Sequence, residues 1–378
     1  MNHLPINKLL LFLLLLSIFS ACKKEDVSPA ETIIEWKGIV SVADTFFVQE
    51  NEKLVIAPGT EVFFEPEATI IAEGDIYIVG TPDSIIRLTV ENPMGNHRIL
   101  DVKGGAQNFT LGYAALTNGL ITSYQTNNHF YQVTFTNNQA LEWDDAVARF
   151  WYGQLLIEDC TVNWNNQGEG FLLHRVQGPI VRNCTFLKVP DAVEYIDCNN
   201  GEISGCRFEG MNDDAIDQNH CSKTLIKDNE FYQVNDRALE LGSEGFGPSD
   251  SLFIINNLFV NCKVAINVKE GSSAIIENAT FYNNKTSLDV LNEANDGSLS
   301  QATISKSIFV GGDLHLATSP NTSSTISQCM SDQILLDGVE NIKAPVEFLD
   351  VQQFDFTVIS SEFPAGMNAD SIGYKKPR

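Results

Sequence analysis

The sequence lacks the short motifs that carry most metal and redox chemistry. Its eight cysteines form no CxxC pair and its six histidines no HExxH, so a structural zinc site of the usual spacing is not expected. Basic residues are scarce: 24 Lys and Arg stand against 49 Asp and Glu, a formal net charge of −25. So acidic a surface repels phosphate backbones and anionic lipid, which excludes nucleic acid as a partner. No apolar run reaches the ~18 residues of a membrane-spanning helix, and no amphipathic helical stretch of useful length occurs. What is present is a chain with 43% hydrophobic residues and 26 Gly, too apolar for disorder and too unbiased for collagen or coiled coil.

The first residues read as an address. Lys8 precedes an apolar run of 11 residues from Leu9 to Phe19, which ends in Ser20-Ala21-Cys22. Small residues before a cysteine resemble the lipobox cut by the lipoprotein signal peptidase. That resemblance implies a signal peptide over 1–21 and acylation of Cys22, which would hold the protein on a membrane without spanning it. Lys23-Lys24-Glu25-Asp26 resembles the surface-export signals of some diderm bacteria. Residues 22–34 then form a polar tether. The expected location is the cell envelope, at the outer membrane. The mature chain keeps 23 basic and 49 acidic residues, a net charge of −26.

A hexapeptide recurs through the body. It begins at Ile157, Val181, Ile203, Ile226, Ile254, Ile276, Ile304 and Ile326, at spacings of 24, 22, 23, 28, 22, 28 and 22. Ile157-Glu-Asp-Cys-Thr-Val162 and Val181-Arg-Asn-Cys-Thr-Phe186 are typical copies. The segments between show period-2 alternation and are bounded by Gly, Asn and Asp, the signature of short strands. Leucine-rich repeats need a different Leu/Asn pattern, and propeller blades need about 40 residues. The pattern fits an all-β chain, a single-stranded right-handed parallel β-helix of roughly 12 rungs over 35–375, each rung stacked on the last at ~4.8 Å. Phe186, Phe208, Phe231, Phe259, Phe281 and Phe309 are expected to form one interior stack. Cys160, Cys184, Cys206, Asn229 and Asn257 are expected to form a ladder at a bend, with Asn in the left-handed conformation it tolerates. Cys198 and Cys221, 23 apart, should stack as well. The seven cysteines after Cys22 are expected as buried thiols, because stacked side chains run parallel rather than toward each other.

Two further segments carry a family likeness. Leu54-Val-Ile-Ala-Pro-Gly-Thr-Glu-Val-Phe-Phe64 and Ile76-Tyr-Ile-Val-Gly-Thr-Pro-Asp-Ser-Ile-Ile86 resemble the first rungs of pectin-lyase-fold proteins. Asp355-Phe-Thr-Val358, Ser361-Glu-Phe-Pro-Ala365 and Asp370-Ser-Ile-Gly373 resemble the closing segment of bacterial right-handed β-helix repeat proteins. The likeness implies the fold but not one activity, since this fold hosts lyases, hydrolases, epimerases and adhesins.

Stacking turns sequence spacing into spatial columns. Glu194, Asp217 and Glu240 follow one another at intervals of 23 and should face outward. Asp191, Asp214 and Arg237 form a second column, with Asp213 and Asp236 beside it and Asp145 and Glu169 on earlier rungs. Trp151, Arg175, Asp197 and His220 are read as a third. Three carboxylates at ~4.8 Å repel by roughly 1 kcal/mol per pair even in bulk water. Three things could offset this: Arg237 and His220, a protonated carboxyl, or a hard cation such as Ca²⁺ held by Asp214, Asp217 and Glu240. A solvated acidic face that only aids solubility is the plain alternative.

Asp191, Asp213-Asp214 and the following rung also resemble the acid/base set of polygalacturonase-type hydrolases. That likeness implies Asp191 and Asp214 as bases and Asp213 as acid. Arg237 stands where that family has histidine, and no Arg-x-Lys follows. A lyase or epimerase would instead use a Ca²⁺-neutralised uronate and a base among Arg237, Arg175 and His220. Trp151, Arg175 and Glu194 are the expected substrate contacts. Phe130, Tyr131, Trp143, Phe150, Tyr152 and Trp164 are read mainly as filler. Two functions remain open: an envelope lipoprotein that binds and cleaves a polysaccharide, or a non-catalytic stalk, adhesin or carbohydrate-binding module.

Overall fold

A computed structural model describes residues 31–91, 97–138, 145–165, 168–243, 245–292 and 298–377. The signal segment, Cys22, most of the tether and Trp143 lie outside these residues. The chain winds as a right-handed parallel β-helix of about 12 coils. One face is a 12-stranded parallel sheet running from Phe46–Val48 to Leu314–Thr318. The other two faces share a 25-stranded sheet, joined where the long strands Asn108–Thr117 and Asn127–Asn138 pass from one to the other. The first strand starts at Thr32, inside the expected tether, because Ile33 and Ile34 pair with Lys53 and Leu54 of the next coil. No helix of the described residues is long and apolar enough to cross a membrane.

The hexapeptide explains the winding. Its first and sixth residues, such as Ile226 and Phe231, are fully buried. The six phenylalanines stack with centroids 4.7–5.2 Å apart and planes within 14° of parallel. The left-handed turn falls on the third residue, not on the Cys/Asn position that was expected. Asp159, Asn183, Asp228 and Asn256 have φ of 53–59°. The fourth residue points inward instead, where it satisfies main-chain groups left open by the bend. Asn229 Oδ1 accepts from the Cys206 N–H at 2.9 Å, and Asn257 Nδ2 donates to the Ile226 carbonyl at 2.8 Å. All seven cysteines from Cys160 to Cys329 are buried and unbridged.

The C-terminal segment folds back along the outside. Phe356 and Tyr374 pack on Tyr232, Leu258 and Val260, and the Tyr374 hydroxyl donates to Glu230 at 2.8 Å.

Candidate functional site

The 12-stranded sheet builds the acidic face. Its strands Val193–Ile196, Ile216–Asn219 and Arg237–Leu241 lie in parallel register, so Glu194 pairs with Asp217 and Asp217 with Glu240. The column continues to Arg149 and Leu172 on earlier coils and to Asn267 and Asp289 on later ones. Val193, Ile216 and Leu239 point into the core and fix the opposite orientation of these groups.

Burial, with repulsion between neighbouring carboxylates second to it, raises the pKa values of this face. Burial, reinforced by Asp213, pushes Asp191 up to about 7. Burial also pushes Glu194 up to about 7, against the pull of its Asn219 hydrogen bond and of Arg149. Glu169, Asp214 and Asp217 are raised well above the carboxylate range, again first by burial and then by neighbouring carboxylates.

Arg237 is the cation of this face. Its guanidinium lies 2.5 Å from Glu240 Oε2, 2.9 Å from Asp236 and 3.5 Å from Asp214. Lys269, from the next coil, pairs with Glu240 as well. The space between Asp214 and Glu240, expected to hold a metal, is therefore bridged by a guanidinium. Asp214 instead groups with Asp213 and Asp236, their oxygens within 4.8 Å of one another. Against the lowering effect of burial, Asp214, Glu240 and Asp236 hold the Arg237 guanidinium above its ordinary pKa.

Asp191 and Asp214 each commit an oxygen to the backbone of the following coil. Asp191 Oδ1 accepts from the Asp214 N–H at 2.6 Å, and Asp214 Oδ1 from the Arg237 N–H at 2.9 Å. Asp213 is exposed. Glu169 continues the column below Asp191, but its register partner is Ala146 rather than Asp145. Asp145 lies beside Arg98 and Arg149, at 3.8 and 3.7 Å.

Asn219 ties the row together: its Nδ2 donates to Glu194 at 3.0 Å and to Asp217 Oδ2 at 2.7 Å. Among the described residues, Asp217 Oδ1, Asn219 Oδ1, Asn267 Oδ1 and Glu169 Oε2 are buried without a donor. Asp217 and Asn267 belong to the row, Asn219 and Glu169 to columns beside it; unsatisfied carboxylate and amide oxygens are the donor type that Ca²⁺ takes, so the residues fit such an ion.

A mixed cluster flanks the row at the bend. Asp197 accepts from Arg175 Nε at 2.9 Å, lies 2.6 Å from His220 Nδ1 and 3.4 Å from His174 Nε2. Arg175, Asp197 and His220 do form a column, each with a φ of 54–56°. Tyr152 heads it, and its hydroxyl accepts from Arg175 at 3.3 Å. Trp151 does not: it pairs with His174, one position earlier, and their ring centroids lie 4.5 Å apart with the planes tilted by 33°. The cause is the left-handed residue at 152, which ends the strand one position before the assumed column. Trp151 is half-buried, Trp164 is 38% exposed, and Phe130 and Phe150 fill the core. His174 is held below its ordinary pKa by burial and by Arg175. Arg149, His174, Asn219 and Lys269 were not singled out from the sequence. Lys269 and Asn267 could have been, as outward positions alternating with buried Ile266 and Val268.

Fold and register together define a right-handed parallel β-helix repeat protein. Residues 118–250, which include Glu194, Asp217 and Glu240, match the family model described as a right handed beta helix region. No curated protein matches the chain significantly in sequence. Among solved structures, the PL6 family alginate lyase AlyGC aligns with a TM-score of 0.60 at 11% identity, over 92% of this chain and 55% of that one. A mutant of that lyase gives 0.52 at 11% identity, over 91% and 53%. The periplasmic alginate epimerase AlgG gives 0.49 at 12% identity, over 84% and 79%. The chain thus spans about half the length of the lyase, and the likeness at this identity is one of fold.

Proposed function

We propose that this protein binds an anionic polysaccharide along its acidic face and cleaves it by elimination at a uronate, with Ca²⁺ as cofactor. The observation that carries the proposal is the row Glu194–Asp217–Glu240, held in register with buried oxygens that lack donors. A row that only aided solubility would be exposed, whereas Glu240 is 6% exposed. The lyase that shares the fold with a TM-score of 0.60 is an alginate lyase, which favours a uronate substrate.

In this reading Glu194 and Asp217 are the principal Ca²⁺ ligands. Glu194 and Asp217 would hold the ion, whose positive charge would neutralise the substrate carboxylate and so make the neighbouring carbon-bound proton more acidic. His174, held below its ordinary pKa by burial, takes that proton, while Trp151 beside it offers a sugar platform. Electrons from the broken C–H bond form the new double bond. The glycosidic oxygen leaves and is protonated by solvent. Arg175 and His220 line the approach, and Arg237 and Lys269 limit the repulsion. The chain is held at the outer membrane by acyl chains on Cys22.

Incubating the chain that begins after Cys22 with a panel of polyuronates tests this. New absorbance of the unsaturated uronide, dependent on Ca²⁺ and lost in His174→Ala, is the expected result. Reducing ends without that absorbance would favour hydrolysis. Silence in both assays would leave the stalk.

A further inference from the structure

A second groove lies round the bend from the acidic face, on the coils of Asn108, Asn127, Gln154 and Gln177. It encloses about 560 Å³. In a chain with 19% charged residues, none of its eleven lining residues is Asp, Glu, Lys or Arg, and five are Asn or Gln. The amides are placed by the coil register: Asn108 pairs with Asn127 and Asn127 with Gln154, and the Gln177 N–H donates to the carbonyl of Gly153 beside Gln154.

These amides differ from the interior ladder. Asn229 and Asn257 bond the main chain and hold the bend. The side chains of Asn127, Gln154 and Gln177 are exposed and, among the described residues, take no hydrogen-bond partner. The fold does not need them. Asn128 supplies the second observation. It lines the groove and is 4% exposed; its Nδ2 donates to the Thr126 and Gln154 carbonyls, and its Oδ1 is buried without a donor. A buried acceptor without a donor costs the free protein stability that an added donor at the groove would relieve.

We infer that this groove is a binding site for an uncharged oligosaccharide, running along the coil axis. Amides both donate and accept, which suits sugar hydroxyls, and they repeat at the ~4.8 Å coil spacing, close to the length of one pyranose in an extended chain. Leu156 and Ile180 offer an apolar wall for the sugar faces. An anionic ligand finds no cation here: His129 is engaged by Glu158 at 2.9 Å. On the next coil Gln177 pairs with Asn199, which lines a separate cavity together with Asp197 and Asp250.

The test is calorimetric titration of the chain after Cys22 with cellohexaose and with mannohexaose, without Ca²⁺. Binding of either is expected, weakened about tenfold or more in Gln154→Ala/Gln177→Ala. Asp217→Asn should leave it unchanged, because the acidic face is not involved. No binding of either sugar, or binding that the double variant keeps, overturns the inference. The substituted side chains are exposed, so circular dichroism and an unchanged melting temperature verify that the double variant folds.

Discussion

Lys269 reaches back one coil to the carboxylate of Glu240, so the third acid of the row is held by a cation from the following coil. Removing it with Lys269→Met leaves Glu240 paired only with Arg237. Stability should fall by about 1–3 kcal/mol in urea unfolding, the range for a buried charge that loses one partner. Adding Glu240→Gln should restore most of that loss, since the unpaired charge is then gone.

The pH dependence has a definite sign. Asp191 and Glu194 titrate near 7 in the fold, and near 4 when unfolded. The folded state binds more protons between those values. The stabilising contribution of these groups is complete below about pH 4 and is lost as pH rises through about 7. In metal-free buffer the melting temperature should be several degrees higher at about pH 5.5 than at about pH 8.5. A rise in stability over that interval would contradict the burial of these carboxyls.

Asp217→Asn separates repulsion from architecture. The amide keeps an oxygen for Asn219 and removes the charge between Glu194 and Glu240. At alkaline pH without metal the variant should be more stable than the parent, by about 1 kcal/mol or more, and its pH profile flatter. Asp191→Ala should act in the opposite direction and cost about 1–3 kcal/mol, because the Asp214 N–H loses its acceptor.

The coil itself was legible from its period. The hexapeptide put the phenylalanines in one stack and Glu194, Asp217 and Glu240 in one row, and both follow from register alone. Trp151 was misplaced by a single position because spacing locates a column only up to the turn that ends it. Which residue takes the left-handed conformation there is set by local packing. That Arg237 offsets the carboxylates was legible from its column, but which three it reaches was not. It depends on how far a long side chain reaches between columns, which periodicity does not encode. Lys269 escaped for the same reason, as its partner sits on another coil.

The interior stack gives a test of the fold independent of the site. Phe231 lies between Phe208 and Phe259, at 4.8 Å from each, and is fully buried. Phe231→Ala should cost about 3–5 kcal/mol in urea unfolding, the range for emptying a packed aromatic site. A cost below about 1 kcal/mol would mean the coils are not in this register.

The most direct test is a calcium titration followed by thermal melting of the chain after Cys22 at about pH 8, above the value near which Glu194 titrates. Ca²⁺ should raise the melting temperature of the parent chain in a saturable way, magnesium should do so far less, and Asp217→Asn should abolish the shift. A parent chain whose melting is indifferent to Ca²⁺, or a variant that keeps the full shift, would contradict a cation-binding acidic row.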